Sequence, residues 1–153
     1  MRLEETTEIA APPGAVFQFF EEMEAHYETW HPDHLAFRWV EGRGLTEGST
    51  ASFKERIGGE LQEKTVRFTA IEPDRYIEFA PTSLLVRLFM PRISFTIDPR
   101  ADGCTFTQRI RVRTGPIGTW LNRREFDAVR VHMREEGENL RALLEESSDT
   151  TAA

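Results

Sequence analysis

At 153 residues, with 39% hydrophobic residues and a formal net charge of −7, the chain suits one domain with one core, and its acidity argues against nucleic acid or an anionic membrane as the main partner. A single cysteine, Cys104, excludes an internal disulfide and a thiolate metal cluster. The opening MRLEETTEIA has acids where a signal peptide needs basic and then apolar residues, and no apolar run approaches the roughly 18 residues of a membrane span, so a cytoplasmic location is expected.

Residues 2–9 alternate as a first strand. The stretch APPGAVFQFFEEMEAHYETW follows, with prolines suited to a helix start and apolar residues at helical spacing, which predicts one or two short helices. From about residue 35 the period becomes two. LAFRWVEG reads as a strand, RGLTEG as a turn and STASFKERI as the next strand. A Gly-Gly turn leads into ELQEKTVRFTAIEP, and RYIEFAP, RISFTIDP and CTFTQRIRVRTG follow as further strands. Arg109, Arg111 and Arg113 form a basic row at period two, the pattern of a wet strand face. TSLLVRLFMP reads either as a strand or as an apolar loop over a cavity. After Gly115–Pro116 a long helix is predicted over residues 117–146. Residues 1–146 form the expected single domain and 147–153, small and polar, a disordered tail. The order of elements predicts an α+β fold, a curved antiparallel sheet packed on the C-terminal helix.

Polar residues on apolar faces mark the candidate site. On the final helix, at about 100° per residue, His132 and Glu136 fall within the stripe of Leu121, Val129, Leu140 and Leu143, one turn apart. Glu125 shares that stripe as a secondary candidate near the helix start. In TASFKERI, Ala51, Phe53, Glu55 and Ile57 share one face, so the core takes Glu55 inward. Glu63 points outward by the alternation of Val66, Phe68 and Ala70. Three of the four histidines lie in HYETWHPDH, residues 26–34. Counting back across the turn at 43–48 places His34 opposite about residue 57, at the end of the sheet that holds Glu55.

Buried carboxylates cost several kcal/mol each unless neutralised. Protonation, an arginine (Arg38, Arg87 or Arg92) or a divalent metal would each serve, and two imidazoles beside two carboxylates suit zinc first, then iron or manganese. His31 is expected to cap or pack against the Trp30–Pro32 turn; His31-x-Asp33 also has the opening spacing of a facial triad. His26 and Tyr27 are placed on a short helix at the cavity mouth, with the surface as the default for His26; either is a candidate acid. Phe37, Trp39, Phe53, Phe68, Leu88 and Phe89 are candidates for an apolar cavity wall around a small hydrophobic or aromatic ligand. There is no G-x-S-x-G, P-loop or G-x-G-x-x-G in context.

The order of elements, with EETTEIAAPPGAVFQFF at the start and an amphipathic helix at the end, resembles the START-like helix-grip (SRPBCC) superfamily, which includes polyketide cyclases and the birch pollen allergen. YETWHPDH, FKERIGG and the H-x-x-x-E of VHMREEG are similar to the zinc-dependent 2,4-diacetylphloroglucinol hydrolase branch. That resemblance implies a helix-grip fold and cleavage of a carbon–carbon bond in a ketonic substrate such as an acylphenol or β-diketone. It also implies a Zn²⁺ held by His34, Glu55, His132 and Glu136. A metal-free cyclase-type enzyme and a non-enzymatic carrier of hydrophobic ligands are the alternatives on the same fold.

Overall fold

The structure is a computed structural model describing residues 1–152, with side chains described to Ser147. Seven strands form one antiparallel sheet: β1 (Arg2–Ile9), β2 (His34–Glu41), β3 (Thr50–Ile57), β4 (Glu60–Glu72), β5 (Tyr76–Pro81), β6 (Arg92–Arg100) and β7 (Gly103–Arg111). Their order is β1-β7-β6-β5-β4-β3-β2, so the first strand pairs with the last and β2 takes the far edge. Between β1 and β2 stand α1 (Pro13–Glu21) and α2 (Met23–Trp30). The long α5 (Arg123–Ala152) packs on β1 and reaches β3, so the sheet curls around it. This is the α+β helix-grip arrangement.

Helical spacing explains the short helices. α1 buries Val16, Phe17, Phe19 and Phe20, and α2 buries Met23, Tyr27 and Trp30. Phe20 lies against Phe95 and Phe106, which ties α1 to the concave face of the sheet. The β3–β4 hairpin closes through Gly58 and Gly59, both at positive φ, as a two-residue I′ loop requires.

Three elements differ from expectation. TSLLVRLFMP forms α3 (Leu84–Phe89), neither strand nor cavity loop, because the Ser83 side chain accepts from Val86 N–H and starts a helix. The predicted long helix is broken at Asn122, which separates α4 (Pro116–Leu121) from α5. α5 is assigned to Ala152, past the expected helix end at residue 146; Ala153 lies outside the described residues. Among the described residues no helix is long and apolar enough to cross a membrane.

Candidate metal centre

Two irregularities in the β2–β3 ladder set the site. Phe37 and Trp39 point inward from β2, so unbroken alternation would send His34 to the opposite face. The register shifts between His34 and Ala36, and again between Trp39 and Glu41. Each shift leaves an extra residue on β2, and the first turns His34 inward. Together they bring it opposite Glu55 rather than residue 57.

His34 is fully enclosed. Its ring stacks on Tyr27 (4.1 Å between centroids, 6° between planes) and meets the Trp30 edge. Nδ1 lies 3.0 Å from the Tyr27 carbonyl oxygen. A carbonyl only accepts, so Nδ1 carries a proton and Nε2 is the nitrogen that faces the interior. A carbonyl behind a histidine is how proteins fix a metal-binding tautomer.

Nε2 of His34 lies 3.2 Å from Nε2 of His132, 3.0 Å from Glu136 Oε2 and 3.8 Å from Glu55 Oε2. His132 Nε2 lies 3.4 Å from Glu55 Oε2 and 3.6 Å from Glu136 Oε2. Four donors at about 2.0–2.2 Å from one tetrahedral cation stand about 3.3–3.6 Å apart. The five distances bracket that edge length. The four donor atoms all lie within 4.8 Å of one another, and this buried group can hold a metal ion.

Without a cation the cluster must be held by protons. Burial raises the pKa of Glu55, but the His132 hydrogen bond and the Lys64 charge outweigh it and bring the carboxyl down to about 2. Lys64 Nζ lies 3.1 Å from Glu55 Oε1. Burial likewise raises Glu136, and hydrogen bonds from His132 and His34 carry it below its ordinary value. Burial pulls His132 down, while Glu136 and Glu55 lift it to about 10. Both acids are therefore carboxylates, and a positive charge is fixed between them.

The cluster closes one end of a cavity of about 180 Å³ whose lining is otherwise almost wholly apolar. Phe37, Trp39, Phe53 and Phe68 belong to the wall. The Tyr27 hydroxyl donates to Glu55 Oε2 at 3.4 Å, and burial, then Glu55 and Glu136, push its pKa far up, so the phenol keeps its proton.

The family model for polyketide cyclase / dehydrase and lipid transport matches residues 1–145. The chain belongs to that family. No curated protein matches its sequence. Among solved structures it is similar to TTHA0849 from Thermus thermophilus (TM-score 0.75, 12% identity, 97% of this chain and 99% of that one). It is similar also to Ara h 8.0201 (0.69, 13%, 95% and 98%). Ginseng major latex-like protein 151 from Panax ginseng aligns as well (0.64, 15%, 86% and 96%). At these identities the likeness is one of fold.

Within this polyketide cyclase / dehydrase family member, several candidates stand away from the cluster. Leu88 and Phe89 are not cavity wall: both are 60% exposed on α3, and Met90, just beyond, lines the cavity instead. His26 is not at the cavity: its ring stacks on Phe19 and its Nε2 lies 3.2 Å from Glu22 Oε2, one turn back. Glu125 is exposed, because the break at Asn122 resets the helical phase taken from Leu121. Arg38, Arg87 and Arg92 are exposed, and the cation beside Glu55 is Lys64. Lys64 was legible, since it shares the inward alternation of Val66 and Phe68.

His31 is buried behind the cluster, its ring 4.3 Å from that of His132. His31 Nδ1 accepts from Asp33 N–H at 2.9 Å, which leaves the proton on Nε2. Burial, then His132 and His34, lower its pKa, so the ring is neutral. His31, Asp33 and His132 also lie close enough for a cation, but that tautomer offers no free lone pair on His31.

Proposed function

We propose that the protein is a zinc-dependent hydrolase of a small hydrophobic keto compound, cleaving the carbon–carbon bond of an acylphenol or β-diketone. The observation that carries this reading is the near-tetrahedral spacing of two imidazole nitrogens and two carboxylate oxygens at the end of an apolar cavity. The motif similarity to the diacetylphloroglucinol hydrolase branch supports the choice of metal and reaction.

Bound by His34, Glu55, His132 and Glu136, the cation would supply Lewis acidity to the ketone oxygen and lower the pKa of a water. The chain's own residues do the rest. Lys64 holds Glu55 in place, and the Tyr27 carbonyl holds the His34 ring. Trp30 Nε1 donates to the Glu136 carbonyl at 2.9 Å and pins α5 against α2. The aromatic wall orients the substrate and excludes bulk water. Tyr27, which retains its proton, donates it to the departing carbon. The hydroxyl of water ends in the released carboxylic acid and a proton ends on the departing carbon, so the hydrolysis balances.

The second reading is a metal-free protein of the same fold, a carrier of apolar ligands or a cyclase-type enzyme. The Lys64–Glu55 pair favours it, because one acid is already neutralised. Elemental analysis separates the two. The zinc reading expects about one zinc per chain, lost in His132→Ala and in Glu136→Ala but kept in Tyr27→Phe. Tyr27→Phe is expected to lower turnover of acylphenols by about 10²–10⁴, the usual scale of a missing general acid. Metal-free protein after growth and refolding with zinc would support the carrier.

A further inference from the structure

The helices α3 and α4 present apolar side chains to water. On α3, Leu84, Leu85, Val86, Leu88 and Phe89 are 40–71% exposed. On α4, Ile117, Trp120 and Leu121 are 63–76% exposed. The two helices share one end of the molecule: Arg113 N–H donates to the Phe89 carbonyl at 2.7 Å, just before α4 begins. Scattered exposed leucines are ordinary, but two neighbouring apolar helices form the kind of patch that marks an interaction surface.

The charge around this patch opposes that of the chain. Residues 83–92 and 111–124 contain Arg87, Arg92, Arg111, Arg113, Arg123 and Arg124 and no carboxylate, in a chain of net charge −7. All six arginines are exposed. Arg92 is shared with Glu78 at 3.4 Å, and the Arg123 guanidinium lies 4.6 Å from the centre of the Trp120 ring. A charge is felt over about 8 Å at physiological ionic strength, so a surface meeting this end encounters an excess of arginines, offset in part by Glu78 beside Arg92 and by the exposed Glu125 next to Arg124. The patch also rims the cavity. Met90 follows α3, Val112 precedes α4, Phe126 begins the inward face of α5, and all three line the hollow.

We propose that α3 and α4 dock the protein on an anionic lipid bilayer, their apolar side chains among the acyl chains and their arginines at the headgroups, so that an apolar ligand passes between bilayer and cavity without crossing water. Apolar residues beside a basic rim are the composition of interfacial helices. A second copy of the chain fits poorly, because a two-fold interface would set arginines against arginines with no carboxylate in either segment to pair them. The proposal rests on the cavity and its rim and is independent of the metal.

Sedimentation of the full chain with phosphatidylcholine vesicles, with and without phosphatidylglycerol, tests it. The expected result is binding that requires phosphatidylglycerol, weakens with salt, and falls roughly fivefold for each of Arg87→Glu and Arg113→Glu. Leu85→Glu combined with Trp120→Glu is expected to abolish binding while the melting temperature stays unchanged, since both side chains are exposed. Brominated acyl chains should quench Trp120. No sedimentation with either vesicle, equal sedimentation with uncharged vesicles, or undiminished binding by the double variant would overturn the proposal. So would a concentration-dependent dimer that the double variant abolishes.

Discussion

Glu55 is held by unlike partners, Lys64 on one oxygen and His132 with the Tyr27 hydroxyl on the other, and the two charged ones make the metal-free protein sensitive to pH in both directions. His132 rises from 6.5 to about 10 in the fold. A raised pKa stabilises fully below the unfolded value, and the contribution disappears as pH climbs through the folded one. Glu55 falls from 4.5 to about 2, so its contribution is complete above 4.5 and is lost as pH drops towards 2. Metal-free protein is therefore expected to have its highest urea midpoint between pH 4.5 and 6.5, declining from 6.5 towards 10. A zinc ion bound at His132 would displace its proton, so zinc-loaded protein should lack the alkaline decline. A flat chelated midpoint across that alkaline range would contradict the charge arrangement around His132.

At the scale of elements, α5 meets β1 through a glycine. A Cβ on Gly137 would collide with Thr7 Oγ1. Glycine in a helix interior ordinarily costs about 1 kcal/mol relative to alanine, so propensity alone would make Gly137→Ala stabilising. Overpacking typically costs about 1–3 kcal/mol, and the expected outcome is a net loss of stability in urea unfolding, recovered when Thr7→Ala is added. The same close packing sets the height at which His132 and Glu136 face the sheet. Much of this was legible. Alternation on β3 places Glu55 inward, and helical spacing places His132 and Glu136 on one face of α5; all are buried or nearly so. The inward turn of His34 was not, because it depends on a bulge at Leu35 that leaves no mark in the pattern. Nor was α3, whose apolar residues face water and so carry neither strand nor core periodicity. Glu125 was misplaced because a break at Asn122 is invisible in an unbroken run of helix-forming residues.

For the molecule as a whole, size selects the ligand. A dry cavity of about 150 Å³ accommodates benzene. The cavity of about 180 Å³ is therefore matched to one substituted ring. Monocyclic aryl ketones are expected to raise the melting temperature, with stabilisation of about 2.7 kcal/mol at a hundred times Kd, while fused bicyclic ketones should give little shift. Equal shifts from both classes, read by differential scanning fluorimetry, would show that the hollow is larger or more open than its walls suggest.

β1 finds its partner only in β7, and the cluster draws half its donors from the hairpin and half from α5. Such far-separated pairing is slow to form. A nascent chain emerging from the ribosome carries His34 and Glu55 long before His132 and Glu136 are synthesised. Ion capture would therefore wait until α5 has been made and has closed on the hairpin, and a divalent metal would act as the last rivet on that closure.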